Sequence, residues 1–326
     1  MKKKFFSNSN IKFNFKNFSI PVILSIIFIL IFLFFTFLNK NFLDFNNISS
    51  MAKNLIITGI LAISLTPLII SGGFDISFGA NLALTSVVIT LLYSSGVNVW
   101  AALGAGIFLS TIIGFLNGIL IESFQLIAII LTLGMMSILR SIASVLSHSN
   151  TILMLSDGLF NMAMGSLFGI PLLVFIFIPF ILINWFILNF TKAGRAIYII
   201  GANPNFARLS GIKVKKIRIL LYTFVGFSAG VSAILMISLT GVGSPFHGDN
   251  IPLPILSAVF VGGLSMAGGK GNISGTLLGI LIMQTLFNGL SVLNVQSFFI
   301  QILQGVTLIL IVAIYGLLNK NRTFTN

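Results

Sequence analysis

Five acids, two histidines and no cysteine are the whole stock of carboxylate, imidazole and thiol groups in this 326-residue chain. The acids are Asp44, Asp75, Glu122, Asp157 and Asp249; the histidines are His148 and His247. Without cysteine there is neither a disulfide framework nor a thiolate metal site. No paired-acid cluster accompanies either histidine to suggest a metal, and no Ser, His and Asp arrangement suggests hydrolysis, so both histidines read as plain residues of outer loops. One glycine-rich run, "GGLSMAGGKGN" from Gly262 to Asn272, looks at first like a phosphate loop. It lacks the glycine five residues before Gly269, where Leu264 stands, and Gly271 follows Lys270 where Ser or Thr is needed. These glycines suit close helix packing or a broken helix lining a cavity. Any ATP used with this chain must be hydrolysed by another one.

Two charges sit in apolar surroundings. Asp75, in "GGFDIS", reads first as a cap for the segment that follows and second as part of a solute pathway. Arg140, in "MMSILRSIAS", is costly at the centre of a span, by about 2.5–3.5 kcal/mol on insertion scales. It must face protein, water or headgroups, as a gate or by snorkelling outward. The neutral groups Asn117, Gln125, Asn288, Gln296, Gln301 and Gln304 would suit a hydroxyl-rich solute, with interhelical hydrogen bonding as the competing role.

The elements that must position these residues follow from composition. The chain is 57% hydrophobic and 7% charged, against roughly a quarter charged in a soluble domain. Ser19 to Leu38 is uncharged, and residues 271 to 319 contain no Asp, Glu, Lys or Arg. About 20 apolar residues span the hydrocarbon core as a helix. The fold class expected is therefore an all-α polytopic membrane protein. Apolar runs and the breaks between them place ten transmembrane or re-entrant segments near 19–38, 54–71, 76–94, 99–121, 126–147, 168–190, 219–241, 254–266, 272–290 and 297–318. The eighth is too short for a full span. The basic start "MKKKFF" precedes a long run without a small-x-small cleavage site, so it reads as a retained first span.

Lys and Arg concentrate on the cytoplasmic side. Ten crossings with both termini inside put 15 of the 18 basic residues there. The chain divides into a basic N-terminus (1–18), a membrane domain (19–318) with a cytoplasmic segment at 191–218, and a tail (319–326). The +13 charge lies in short segments between spans, which argues against nucleic acid and for contact with membrane lipids. Asp44, Asp157 and Asp249 fall outside. At an offset of 171, Gly104, Asn117, Gly118, Gln125, Ile129 and Gly134 match Gly275, Asn288, Gly289, Gln296, Ile300 and Gly305, a hint of a five-plus-five inverted repeat.

Within 191–218, "GANPNFARLSGIKVKKIRIL" holds a helix of its own. Asn203 is a good N-cap, Pro204 suits the first helical position, and Gly211 suits the position just past the end. Phe206 and Leu209 would share a face, with Arg208 pointing elsewhere. A helix so short is marginal unless something packs on it, so Asn203, Pro204, Asn205, Phe206, Ala207, Arg208, Leu209, Ser210 and Gly211 form a candidate docking element. Lys213, Lys215, Lys216 and Arg218 read as topology anchors.

Four blocks, "SGGFDISFGANLAL" (71–84), "NGILIESFQLIAIILTLGMMSILRSIA" (117–143), "TKAGRAIYIIGANPNFARLSGIKVKKIRILLYTFVGFSAG" (191–230) and "ILSAVFVGGLSMAGGKGNISGTLLG" (255–279), resemble the permease subunits of ABC importers of the ribose and simple-sugar class. The resemblance implies a membrane subunit in the bacterial cytoplasmic membrane, working as a homodimer or related heterodimer. Each copy docks on a cytoplasmic ATPase through the helix around Pro204 to Ser210. ATP and Mg are used by that partner, no cofactor or metal is bound by this chain, and an extracytoplasmic binding protein delivers a small neutral solute. Asn205 departs from the acidic residue that such permeases often carry. A nucleoside or autoinducer-type solute is the first rival reading. A self-sufficient secondary carrier would have only Asp75 and Glu122 for its ion site, both at the cytoplasmic edge, and a non-transporting scaffold would not need the capped helix.

Overall fold

The computed structural model describes residues 20–168 and 170–320; the basic stretch 1–18 and Arg322 of the tail lie outside them. The main chain forms helices α1 (Ile20–Leu38), α2 (Phe45–Ile70), α3 (Phe78–Ser94), α4 (Val99–Phe124), α5 (Ala128–Leu146), α6 (Asp157–Met164), α7 (Leu172–Phe190), α8 (Lys192–Ala202), α9 (Pro204–Leu209), α10 (Val214–Thr240), α11 (Pro252–Val261), α12 (Ile273–Val292) and α13 (Ser297–Lys320). Each of the ten expected segments coincides with one helix. Seven of them, α1, α2, α4, α5, α7, α10 and α12, are long and apolar enough to cross a membrane. The eighth segment is the ten-residue α11, about 15 Å long and half of a hydrocarbon core.

From Leu55 on, helix α2 is uncharged and mostly apolar, as a buried helix must be, and about 78% of its most apolar stretch is enclosed, against 11% for α1. Ile56, Ile60, Leu65 and Leu68 of α2 join Tyr222 and Val225 of α10 and Leu256 and Val259 of α11 in one core cluster. The α4–α10 seam is closed by glycines. A side chain at Gly226 would place its Cβ 2.8 Å from the Gly114 Cα, and one at Gly118 would sit 3.0 Å from the Ile219 Cα. The residues that meet run in opposite order, so the two helices are antiparallel. Small residues let backbones approach where lipid gives no hydrophobic drive to associate.

The 171-residue offset carries α2, α3, α4 and α5 onto α10, α11, α12 and α13. The packing repeats in kind: α4 lies on α10 as α12 lies on α2, α3 on α4 as α11 on α12, and α3 on α5 as α11 on α13. Helices α2 and α12 are antiparallel too, with Thr66 and Thr276 hydroxyls 2.8 Å apart and Asn47 against Asn288.

The structure corrects one expectation about depth. Residues 242–251, read from sequence as an outer loop, run down beside α3. Gly243 packs on Ser86 and Thr90, the Ser244 N–H donates to the Ser86 Oγ at 3.2 Å, and Gly248 packs on Gly79. From Thr90 to Gly79 the descent is about 16 Å at 1.5 Å per residue. Gly and Ser give this stretch no apolar periodicity, yet its backbone finds partners inside the protein, the condition for irregular chain at membrane depth. His247 is therefore half-buried, and Asp249, though exposed, stands level with the start of α3 rather than on an outer loop.

Candidate coupling surface and charged clasps

Helix α9 ends on matched caps. The N–H groups of Asn205 and Phe206 donate to the Asn203 Oδ1, each at 3.0 Å, and Pro204 opens the helix. At the other end Gly211 takes φ 78°, its N–H donates to the Arg208 carbonyl, and the Ile212 N–H donates to the Ala207 carbonyl, both at 3.0 Å. That is the double hydrogen-bond termination a left-handed glycine permits. Ala207 is buried against Ile200 and Val214. Phe206 and Leu209 face outward, 58% and 89% exposed, and Arg208 donates to the Asn205 Oδ1 at 3.3 Å. The capped helix is thus seated on one side and bare and apolar on the other; Ser210 is its C-cap.

Helix α8, which sequence reading left inside the segment, precedes it. Its signal is Thr191, whose Oγ1 accepts from the Gly194 N–H at 3.1 Å, with Ile197 and Ile200 buried while Lys192 and Arg195 are exposed. Tyr198 donates its hydroxyl to the Gly271 carbonyl at 2.8 Å, and burial pushes its phenol above the usual range. The glycine run explains itself here: Gly268 and Gly269 take φ 82° and 73° and press on the backbones of Gly72, Gly201 and Ala202, and the Gly269 N–H donates to the Ile70 carbonyl at 2.8 Å. It is a backbone joint between α8 and the end of α2.

Arg218 grips the same end. Its Nη2 and Nε donate to the Ser71 carbonyl at 2.7 and 3.2 Å, and its Nη1 meets the Glu122 Oε1 at 3.3 Å. Their side chains are 17% and 9% exposed. Arg218 therefore does more than hold topology: it joins α2, α4 and α10 in one clasp. Beside it a cleft of about 480 Å³ is lined by Gly72, Glu122, Gln125, Arg208 and Lys215, with Gln125 in the left-handed conformation that ends α4. Tyr222 closes the floor by exchanging two 3.2 Å hydrogen bonds with the Phe74 backbone.

The remaining sequence candidates separate. Asp75 is buried and accepts from both the N–H and the hydroxyl of Ser77 at 2.7 Å, while the Asn117 Nδ2 donates to the Ser77 Oγ at 2.8 Å. The three tie the start of α3 to α4. Asn288 and Asn47 exchange reciprocal amide hydrogen bonds of 2.9 and 3.1 Å, the interhelical role. Gln301 lies on the exposed side of α13. Arg140 reaches the Asp249 carboxylate at 2.7 Å, with side chains 52% and 28% exposed. Asp249 escaped sequence reading because its segment looked like an outer loop.

The chain matches, over residues 47–312, the family described as branched-chain amino acid transport system / permease component. It is 35% identical to the ribose import permease protein of Escherichia coli strain K12, over 85% of this chain and 88% of that one. The ribose import permease protein of Bacillus subtilis strain 168 is 33% identical, over 84% and 86%. The D-allose transport system permease protein of Escherichia coli strain K12 is 32% identical, over 86% of each. With the family match spanning most of its length, the chain belongs to the permease family of branched-chain amino acid transport system type, alongside the ribose-type import permeases.

Proposed function

We propose that this permease is the membrane subunit of an ATP-driven importer that carries a small, neutral, polyhydroxylated solute of the ribose type. The names of its ribose and allose relatives support the solute class, as does the scarcity of fixed charge with which an ionic solute would be bound. The observation that carries the ATP-driven part is α9, a fully capped helix whose Phe206 and Leu209 stay bare. A cytoplasmic ATPase, using ATP and Mg, covers that face, so the α9 side is the cytoplasmic side. An extracytoplasmic binding protein delivers the solute to the opposite side, and a second permease copy completes the pathway.

A push on α9 has two stiff routes into the membrane: through α8 and the Gly268–Gly271 joint, and through Arg218 at the start of α10. Both end on the last carbonyls of α2. The pathway itself runs past Arg140 and Asp249, because a charged pair two-thirds of the way along α5 is too costly to present to lipid and must face water or the second copy. An autoinducer-type solute is the second reading, favoured by the autoinducer 2 import permease of Yersinia enterocolitica at 30% identity.

Affinity purification of the tagged chain from membranes of cells that also express its ATPase tests this. The ATPase co-purifies in stoichiometric amount, and the combination Arg208→Glu with Leu209→Asp abolishes recovery while leaving the chain in the membrane. Vesicles holding the complex, with the binding protein on the side opposite α9, take up labelled ribose or allose only when ATP is supplied on the α9 side. Uptake that ignores ATP sinks the importer reading, and ATP-dependent uptake of autoinducer 2 in preference to either sugar selects the second solute class.

A further inference from the structure

We propose that the start of α10 is a binding site for one anionic phospholipid of the leaflet on the α9 side. The proposal depends on neither the solute nor the ATPase. A groove of about 620 Å³ lies between α4 and α10, with Phe115, Ile219 and Leu220 as its apolar wall and Arg208, Lys213, Lys215 and Lys216 around its mouth. No acid lines it, and the nearest acid along the seam, Glu122, is turned to Arg218. The cations and the wall are ordered along the membrane normal. Lys213 stands one residue before α10, and Leu220 lies seven residues on, about 10 Å deeper. Phe115 lies nine residues, about 14 Å, before the end of α4 at Phe124.

That order matches one molecule. A phosphate at headgroup level meets four cations, and the upper part of an acyl chain runs 10–14 Å down an apolar wall. A soluble anion would leave the wall bare, and a neutral lipid would leave four like charges crowded at one mouth. Basic pockets between membrane helices on the cytoplasmic side recognise such headgroups. The site shares Arg208 with α9, so an occupied groove steadies the junction between the docking helix and the span that follows it.

The test uses the full chain in phosphatidylcholine vesicles, with Trp100 and Trp185 replaced by Phe and Phe115→Trp as the reporter. Brominated acyl chains quench only a tryptophan they touch. Brominated phosphatidylglycerol should quench with an apparent affinity at least about fivefold above brominated phosphatidylcholine, the effect of a single cationic contact. The combined changes Lys213→Gln, Lys215→Gln and Lys216→Gln should erase that preference. Leu220→Trp gives the same readout should the Phe115 reporter fail to fold. Equal quenching by the two lipids overturns the site, as does a preference that survives loss of the three lysines. Absence of quenching by either lipid also overturns it, since a second copy or another protein then fills the groove.

Discussion

Arg218 differs from the three lysines before it in what its carbonyl and carboxylate partners require. The last turn of α2 leaves carbonyls without helical donors, and a cation there is favoured both by hydrogen bonding and by the helix dipole. Ser71 takes two of the guanidinium's donors and Glu122 a third, a planar division of labour that an ammonium cannot copy. Removing one member of a mostly buried pair leaves the other charge desolvated and alone. Arg218→Met should therefore cost about 1–3 kcal/mol of stability, measured as a lower melting temperature of the purified chain. Glu122→Gln should cost less, because the amide oxygen still accepts from Arg218. A double-mutant cycle should return a coupling of at least about 0.5 kcal/mol. Additive losses would show that the two groups are neighbours without interacting. The same variant should uncouple ATP hydrolysis from uptake before it blocks ATPase recovery, since α9 itself is untouched.

Among the elements, α9 was legible from sequence because its information is local: Asn, Pro and Gly at fixed offsets act through backbone geometry that needs no tertiary partner. Helix α8 was not, because one Thr cap and a two-isoleucine face are weak beside the apolar runs around them. Residues 242–251 were misread for the opposite reason. What keeps them at depth is long-range, with Ser86 and Gly79 accepting a chain from some 160 residues away. The α4–α10 seam lies between these cases, since its glycines are visible but their pairing is not. Gly226→Val should force the helices apart and cost about 1–3 kcal/mol or more by overpacking. It should appear as loss of monodisperse protein in detergent. Gly104→Val, on α4 but with no packing neighbour among the described residues within 4 Å of a Cβ built there, should leave yield and melting unchanged. Equal damage from both would mean that backbone freedom, rather than close approach, explains the glycines.

At the scale of the whole molecule, six scattered identities hinted at a repeat, and the structure turns the hint into a packing rule, with α2 to α5 re-enacted by α10 to α13. Spans α2 and α10 are five crossings apart, so the two halves point oppositely. The antiparallel meeting of α4 with α10 agrees with that parity, because spans four and seven run in opposite senses when both α5 and α7 cross between them. On the proposed topology, α6 and α9 lie on opposite faces of the membrane, with α9 on the cytoplasmic side because the basic residues gather at 191–218. The lack of cysteine makes this testable without background. A membrane-impermeant maleimide added to intact cells should label Phe160→Cys on α6, 58% exposed, and spare Leu209→Cys on α9, 89% exposed. Permeabilisation should open Leu209→Cys to the reagent. The reverse pattern would invert the orientation and place the docking helix outside, where no ATPase can reach it. Labelling of both from outside would break the crossing parity, and with it the opposed halves on which the repeat depends.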